Sequence, residues 1–175
     1  LASDPDVQTL LETNPTTPSQ LLRGVNVLVD LRKGPAARPL MSRLAAANLD
    51  DEQLAALVEQ YGTAVFLRLA RLPELQPMGA AFSARALDAS QRLASDPGRL
   101  QAATESLADP DRAKRRAAMR TLRAGGTTAA QQLLEVLADP ARAELHPAVR
   151  TALVGVGEAA MPIVLGAMEA KDSAL

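Results

Sequence analysis

The stretch 107–140, LADPDRAKRRAAMRTLRAGGTTAAQQLLEVLADP, opens and closes on the same four residues. Leu107-Ala108-Asp109-Pro110 returns as Leu137-Ala138-Asp139-Pro140, a shift of 30. Past one inserted residue the shift becomes 31: Leu122 pairs with Leu153, Gly126 with Gly157, Ala129 with Ala160, Leu134 with Leu165 and Leu137 with Met168. Each copy reads as an Asp-Pro start, a helix, a Gly turn and a second helix with an apolar pair and a terminal apolar residue. A two-helix period of this size indicates stacking, because a single hairpin cannot cover its own apolar face. The expected fold is all-α: a right-handed α-solenoid (an α–α superhelix) of stacked antiparallel helix hairpins.

The same punctuation runs outward from this stretch. Asp4-Pro5, Asp96-Pro97, Asp109-Pro110 and Asp139-Pro140 each offer an acceptor side chain at an N-cap, with Pro following at the first helical position. Thr17-Pro18 does so with a hydroxyl, and Asp50-Asp51-Glu52 places acids where they complement a helix dipole. Gly62, Gly125-Gly126 and Gly157 stand just past apolar-periodic segments and read as stops. The spacing predicts helices near 4–13, 18–32, 35–47, 51–61, 64–71, 78–94, 97–107, 111–124, 128–137, 147–155 and 158–169. Leu21, Leu22, Val25, Leu28 and Val29 fall on one face, as do Leu54, Leu57, Val58 and Tyr61, so these helices need neighbours. Residues 72–77, Leu-Pro-Glu-Leu-Gln-Pro, form a stiff break, read as a long loop within one continuous array. The expected organisation is an irregular hairpin array over 1–95, continued by repeats over 96–175.

On these residues, 107–168 resembles two short HEAT-like repeats of the bacterial type. That family's first helix carries an Asp near its start, a Val-Arg step and small inward residues; its second ends in a Leu-rich face. Val149-Arg150 supplies the step in the second unit, and Ala118 to Leu122 supplies the small and apolar positions in the first. Lys114 departs from the pattern, standing where an apolar residue is expected before Arg115. Residues 18–50 resemble a single tetratricopeptide-like hairpin, with Leu21, Gly24, Val25 and Leu28 on one helix and Ala37, Met41 and Leu44 on the other. The alternative is an irregular helical pair that caps the array.

Composition agrees with a helical core and narrows the functional classes. The chain has 175 residues, 47% hydrophobic and 22% charged, which suits a globular protein rather than a disordered one. Without Trp, and with only Tyr61, Phe66 and Phe82 aromatic, the core must be built from Ala, Leu, Val and Met. A net charge of −1 removes the long-range attraction that a general polyanion binder uses. The absence of Cys excludes disulfides and thiolate metal sites. No apolar run approaches the roughly 18 to 20 residues that cross a bilayer, so no span is expected. The chain begins at Leu1 without Met, as a processed or excised fragment would, leaving the compartment open between cytoplasmic and exported.

The strongest charge cluster is Arg112, Lys114, Arg115, Arg116, Arg120 and Arg123. Positions 112, 116, 120 and 123 share a helix face and would present a basic stripe to a phosphate, an acidic peptide or nucleic acid. Against this stands a solvated outer face with Arg stems covering neighbouring Ala residues; adjacent repeats do not continue the stripe, and few aromatics are present for bases to stack on. His146, the single histidine, precedes Pro147 and reads as a capping or surface residue, with neither metal partners nor a nucleophile in its surroundings. Asp50, Asp51 and Glu52 lack the alternation of a calcium loop. Gly125-Gly126 and Gly155–Gly157 lack the strand, Lys and Ser/Thr of a phosphate loop and read as turn glycines. Met78, Met119, Met161 and Met168 read as core filler.

The expected function is therefore a non-enzymatic interaction or scaffolding module, monomeric and part of a larger protein. It is expected to bind a protein partner or a neighbouring domain of the same chain, with no catalytic residue, cofactor or metal. Some HEAT-like proteins are DNA glycosylases that cradle duplex in a basic groove, and the resemblance makes that the alternative, resting on Arg112 to Arg123. HEAT-like lyases acting on bilin pigments are a third class, which the missing aromatic pocket disfavours.

Overall fold

The computed structural model describes residues 14–172, with side chains described through 166. The helix expected over 4–13, its Asp4 cap and the packing of Met168 lie outside those residues. Among the described residues every regular element is helical and there is no strand. The helices are α1 (Pro18–Asp30), α2 (Gly34–Ala46), α3 (Asp51–Tyr61), α4 (Thr63–Arg71), α5 (Met78–Ala94), α6 (Pro97–Ser106), α7 (Arg112–Ala138), α8 (His146–Val156) and α9 (Met161–Asp172). Short 3-10 turns span Pro73–Leu75, Pro140–Leu145 and Gly157–Ala160. The chain forms two compact units, Leu1–Gln91 and Arg92–Leu175.

In the first unit the caps are made by the residues that the sequence marks. Thr17 accepts the Gln20 N–H and the Gln20 side chain accepts the Thr17 N–H; Asp50 and Gln53 reciprocate in the same way at the start of α3. Such caps are each worth about 1 kcal/mol. The apolar stripe of α1 (Leu21, Leu22, Val25, Leu28) is buried against Ala37, Leu40, Met41 and Leu44 of α2, while Val29 is partly exposed at its edge. Leu54, Leu57 and Val58 join the same core. Tyr61 is only half-buried, because its hydroxyl donates to the Ser19 carbonyl at 2.7 Å at the core margin. Phe66 and Phe82 stack with centroids 6.2 Å apart.

The second unit is built around α7. Asp96 accepts the Arg99 N–H at 2.7 Å and starts α6, which packs on α7; α8 packs on α7 in turn. Leu100, Leu122, Leu133, Val149 and Ala152 meet in its core. The two helices expected over 111–124 and 128–137 run almost without interruption, joined by a kink at Gly126 with φ 51° and ψ −124°. Its partner under the 31-residue shift, Gly157, has φ 74° and ψ −139°. Only glycine adopts this region readily, since a Cβ would collide with the chain. A second coincidence lies at the repeated tetrapeptide. Asp109 accepts the Asp111 N–H at 2.8 Å, and Asp139 accepts the Ala141 N–H at 2.9 Å, the same turn at a shift of 30.

Several expectations are corrected here. Asp109 is not an N-cap: the helix starts two residues later, where Asp111 accepts the Ala113 N–H, because the Asp109 carboxylate is already closed in its own turn. Gly125 and Gly155 are not turn residues. A Cβ on Gly125 would lie 2.6 Å from Leu100 Cδ2 and 3.0 Å from the Ala94 carbonyl, and one on Gly155 would lie 2.8 Å from Met119 Sδ, so both permit close helix approach. Met161 is 58% exposed and fills no core; Met78 and Met119 are partly buried. Separately, and overturning no expectation, Pro140–Gly166 contains an 18-residue window with a mean hydropathy of 1.5, which meets the length and composition of a membrane span and nothing more. Gly157 and the adjoining 3-10 turn divide it into α8 and α9.

Candidate interaction surface on α7

The six cations of 112–123 lie on the first limb of α7, and the fold sorts them into two groups. Ala118 and Leu122 face the core, which turns Arg112, Arg116 and Arg120 outward. The other three are engaged within the second unit. Lys114 Nζ pairs with the Asp109 carboxylate at 3.0 Å. Arg115 Nη1 donates to the carbonyls of Asp109 and Pro110 at 2.7 and 2.8 Å. Arg123 Nε donates to the Gly155 carbonyl at 2.9 Å and so ties α7 to α8. The four-residue face expected over 112, 116, 120 and 123 therefore loses its last member, because Arg123 is turned onto α8.

The electrostatics of this limb are unfavourable by local rules. Its first turn contains no acid, so Arg112 and Lys114 sit at the positive end of the helix dipole, where a cation costs a few tenths of a kcal/mol to about 1 kcal/mol. Arg112, Arg116 and Arg120 follow one another at i, i+4 and i+8 with like charge, a further few tenths of a kcal/mol per pair. The turn before the helix supplies partial compensation. The Asp111 N–H, and then the Lys114 ammonium, hold the Asp109 carboxyl below its ordinary value of 3.8, against a small opposing effect of desolvation. Among the described residues no carboxylate reaches the guanidinium of Arg112, Arg116 or Arg120 within ion-pair distance.

The remaining candidates resolve into structural roles. His146 opens α8 and its Nε2 lies 3.0 Å from the Val136 carbonyl and 3.2 Å from that of Asp139, so the imidazole N–H caps the end of α7. The Val136 carbonyl also accepts the Asp139 N–H at 3.3 Å, and the Asp139 carbonyl the Arg142 N–H at 3.1 Å, so the imidazole adds a second donor at each. Asp50 caps α3, and Asp51 and Glu52 occupy its first turn. Among the described residues no group of His, Asp and Glu gathers as a metal site would require. One feature escaped the sequence: an open polar concavity of about 490 Å³ between α6 and the second limb of α7, lined by Pro97, Gln101, Thr128, Gln132, Glu135 and Arg142. Its residues come from separate elements and show no joint pattern in sequence. No family model, curated protein or solved structure matches the chain.

Proposed function

We propose that the chain is a non-catalytic HEAT-like repeat module. In this reading 107–137 and 138–168 stack as successive layers of a right-handed α-solenoid, and α1 with α2 forms the tetratricopeptide-like hairpin of the preceding array. The flank of the stack is a docking platform for another protein, or for a neighbouring domain of the same chain. The observation that carries this reading is the backbone at Gly126 and Gly157: residues paired by the sequence shift share a conformation that few positions adopt. The matching turns at Asp109 and Asp139 support it, as does the burial of Ala118 with Val149 and of Ala129 with Ala160 at equivalent positions. A docking role rather than catalysis is supported by what the polar side chains do. His146, Asp96, Asp109 and Arg123 are each spent on a cap, a turn or a helix contact.

A crystal structure of the full chain tests the architecture. One rotation and translation should carry 107–137 onto 138–168 as adjacent layers; strands, or units that do not superimpose, overturn it. Docking is tested by cross-linking the full chain in its own cells and then reconstituting each captured protein, purified, with the purified chain. At least one pair should co-elute as a stable complex, and the docking reading fails if none does.

A further inference from the structure

We propose that Arg112, Arg116 and Arg120 form a docking strip for an acidic protein segment, a partner class that deepens the interaction reading above and rests on it. The three guanidiniums are separated by single helical turns and span about 12 Å of α7. Exposed Ala113 and Ala117 lie beside them, so no bulky side chain keeps a partner away. Neither intramolecular pairing nor helix stability accounts for them. Lys114, Arg115 and Arg123 all find acceptors in the second unit, whereas these three have no ion-pair or hydrogen-bond partner among the described residues. The like charge of all three, and the place of Arg112 in the first turn of the helix, both oppose folding. An anionic partner reverses the sign of both effects.

Arginine in all three places points to planar oxygen pairs, since each guanidinium fork receives a carboxylate in bidentate fashion. Carboxylates at i, i+4 and i+8 of a partner helix would repeat with the same spacing as the strip. A nucleic acid is the poorer match. Three phosphate contacts give weak affinity, and α7 carries no aromatic on which a base could stack.

The test uses the full chain and two fluorescein-labelled probes, a poly-L-glutamate peptide and a DNA duplex, with anisotropy read at low and physiological salt. The peptide should bind saturably and more tightly than the duplex. R112A/R116A/R120A should weaken peptide binding about tenfold or more, whereas K114A/R115A should change it less than about twofold. Replacing all three by Lys should give an intermediate affinity, because charge is kept and the fork is lost. The triple alanine variant should also melt at or above the wild-type temperature, since it relieves repulsion. Tighter duplex binding, no peptide binding, or equal loss in both variants overturns the strip, as does a triple alanine variant that melts well below wild type. The superposition of 107–137 on 138–168 does not involve these side chains, so the solenoid reading stands or falls separately.

Discussion

Ser83 is fully buried in α5, and its hydroxyl has no hydrogen-bond partner among the described residues. A buried unsatisfied donor costs about 1–3 kcal/mol. Ser83→Ala should therefore stabilise the protein by about 1 kcal/mol, seen as a higher urea midpoint with an unchanged slope. Asp109 gives the opposite lesson. Its carboxyl is held low by the Asp111 N–H first and by Lys114 second, so the folded state favours the ionised form. The contribution is fully present above the ordinary carboxylate value and is lost as pH falls through the lowered one. Urea midpoints measured from neutral pH into the acid range should fall less for Asp109→Asn than for wild type. Residues whose role is local were legible in sequence: Thr17, Asp50 and Asp96 cap because the acceptor and its N–H lie within three positions. Asp109 misled because two acceptors, Asp109 and Asp111, compete for one helix start. The fates of Lys114, Arg115 and Arg123 were not legible at all, since each is decided by a carbonyl or carboxylate that folding brings near.

Among the described residues, helices were legible to within a few positions, because apolar period and punctuation agree. Their junctions were less so. The glycines of 125–126 and 155–157 look alike on paper, yet one of each set bends the chain and another lets a neighbouring side chain approach. Gly157 has nothing within 4 Å of where a Cβ would stand, so Gly157→Ala isolates the backbone cost of a positive φ. That substitution should destabilise by about 1–3 kcal/mol, and Gly126→Ala, whose nearest neighbour Ala159 Cβ is 3.8 Å away, by a similar amount. Thermal or urea melts of the two single variants check this. Gly166, inside α9 with open space around it, should gain roughly 0.5–1 kcal/mol on the same change. Met161 shows the limit of periodic reading: a helix face is a core face only if another element covers it, and here none of the described residues does so fully.

Across the whole molecule, two hydrophobic clusters divide the stability. Leu22, Leu28, Phe66 and Phe82 belong to one, and Leu100, Leu122 and Leu133 to the other. Leu133→Ala should cost about 2–5 kcal/mol, and native-state hydrogen exchange should show protection falling mainly in 92–175, because local opening follows the cluster that lost the contact. Uniform loss along the chain would show a single cooperative block instead. The distribution of rings has a practical corollary. Tyr61, Phe66 and Phe82 are the complete aromatic inventory, and all precede residue 92. The near-ultraviolet signal thus belongs to the first unit, with the phenol tethered from α3 to Ser19 in α1 as its chromophore. Melting followed by tyrosine emission will record that unit's opening and remain dark to the other. A gap between the emission and far-ultraviolet dichroism curves would consequently be a direct optical measure of how independently the two clusters melt.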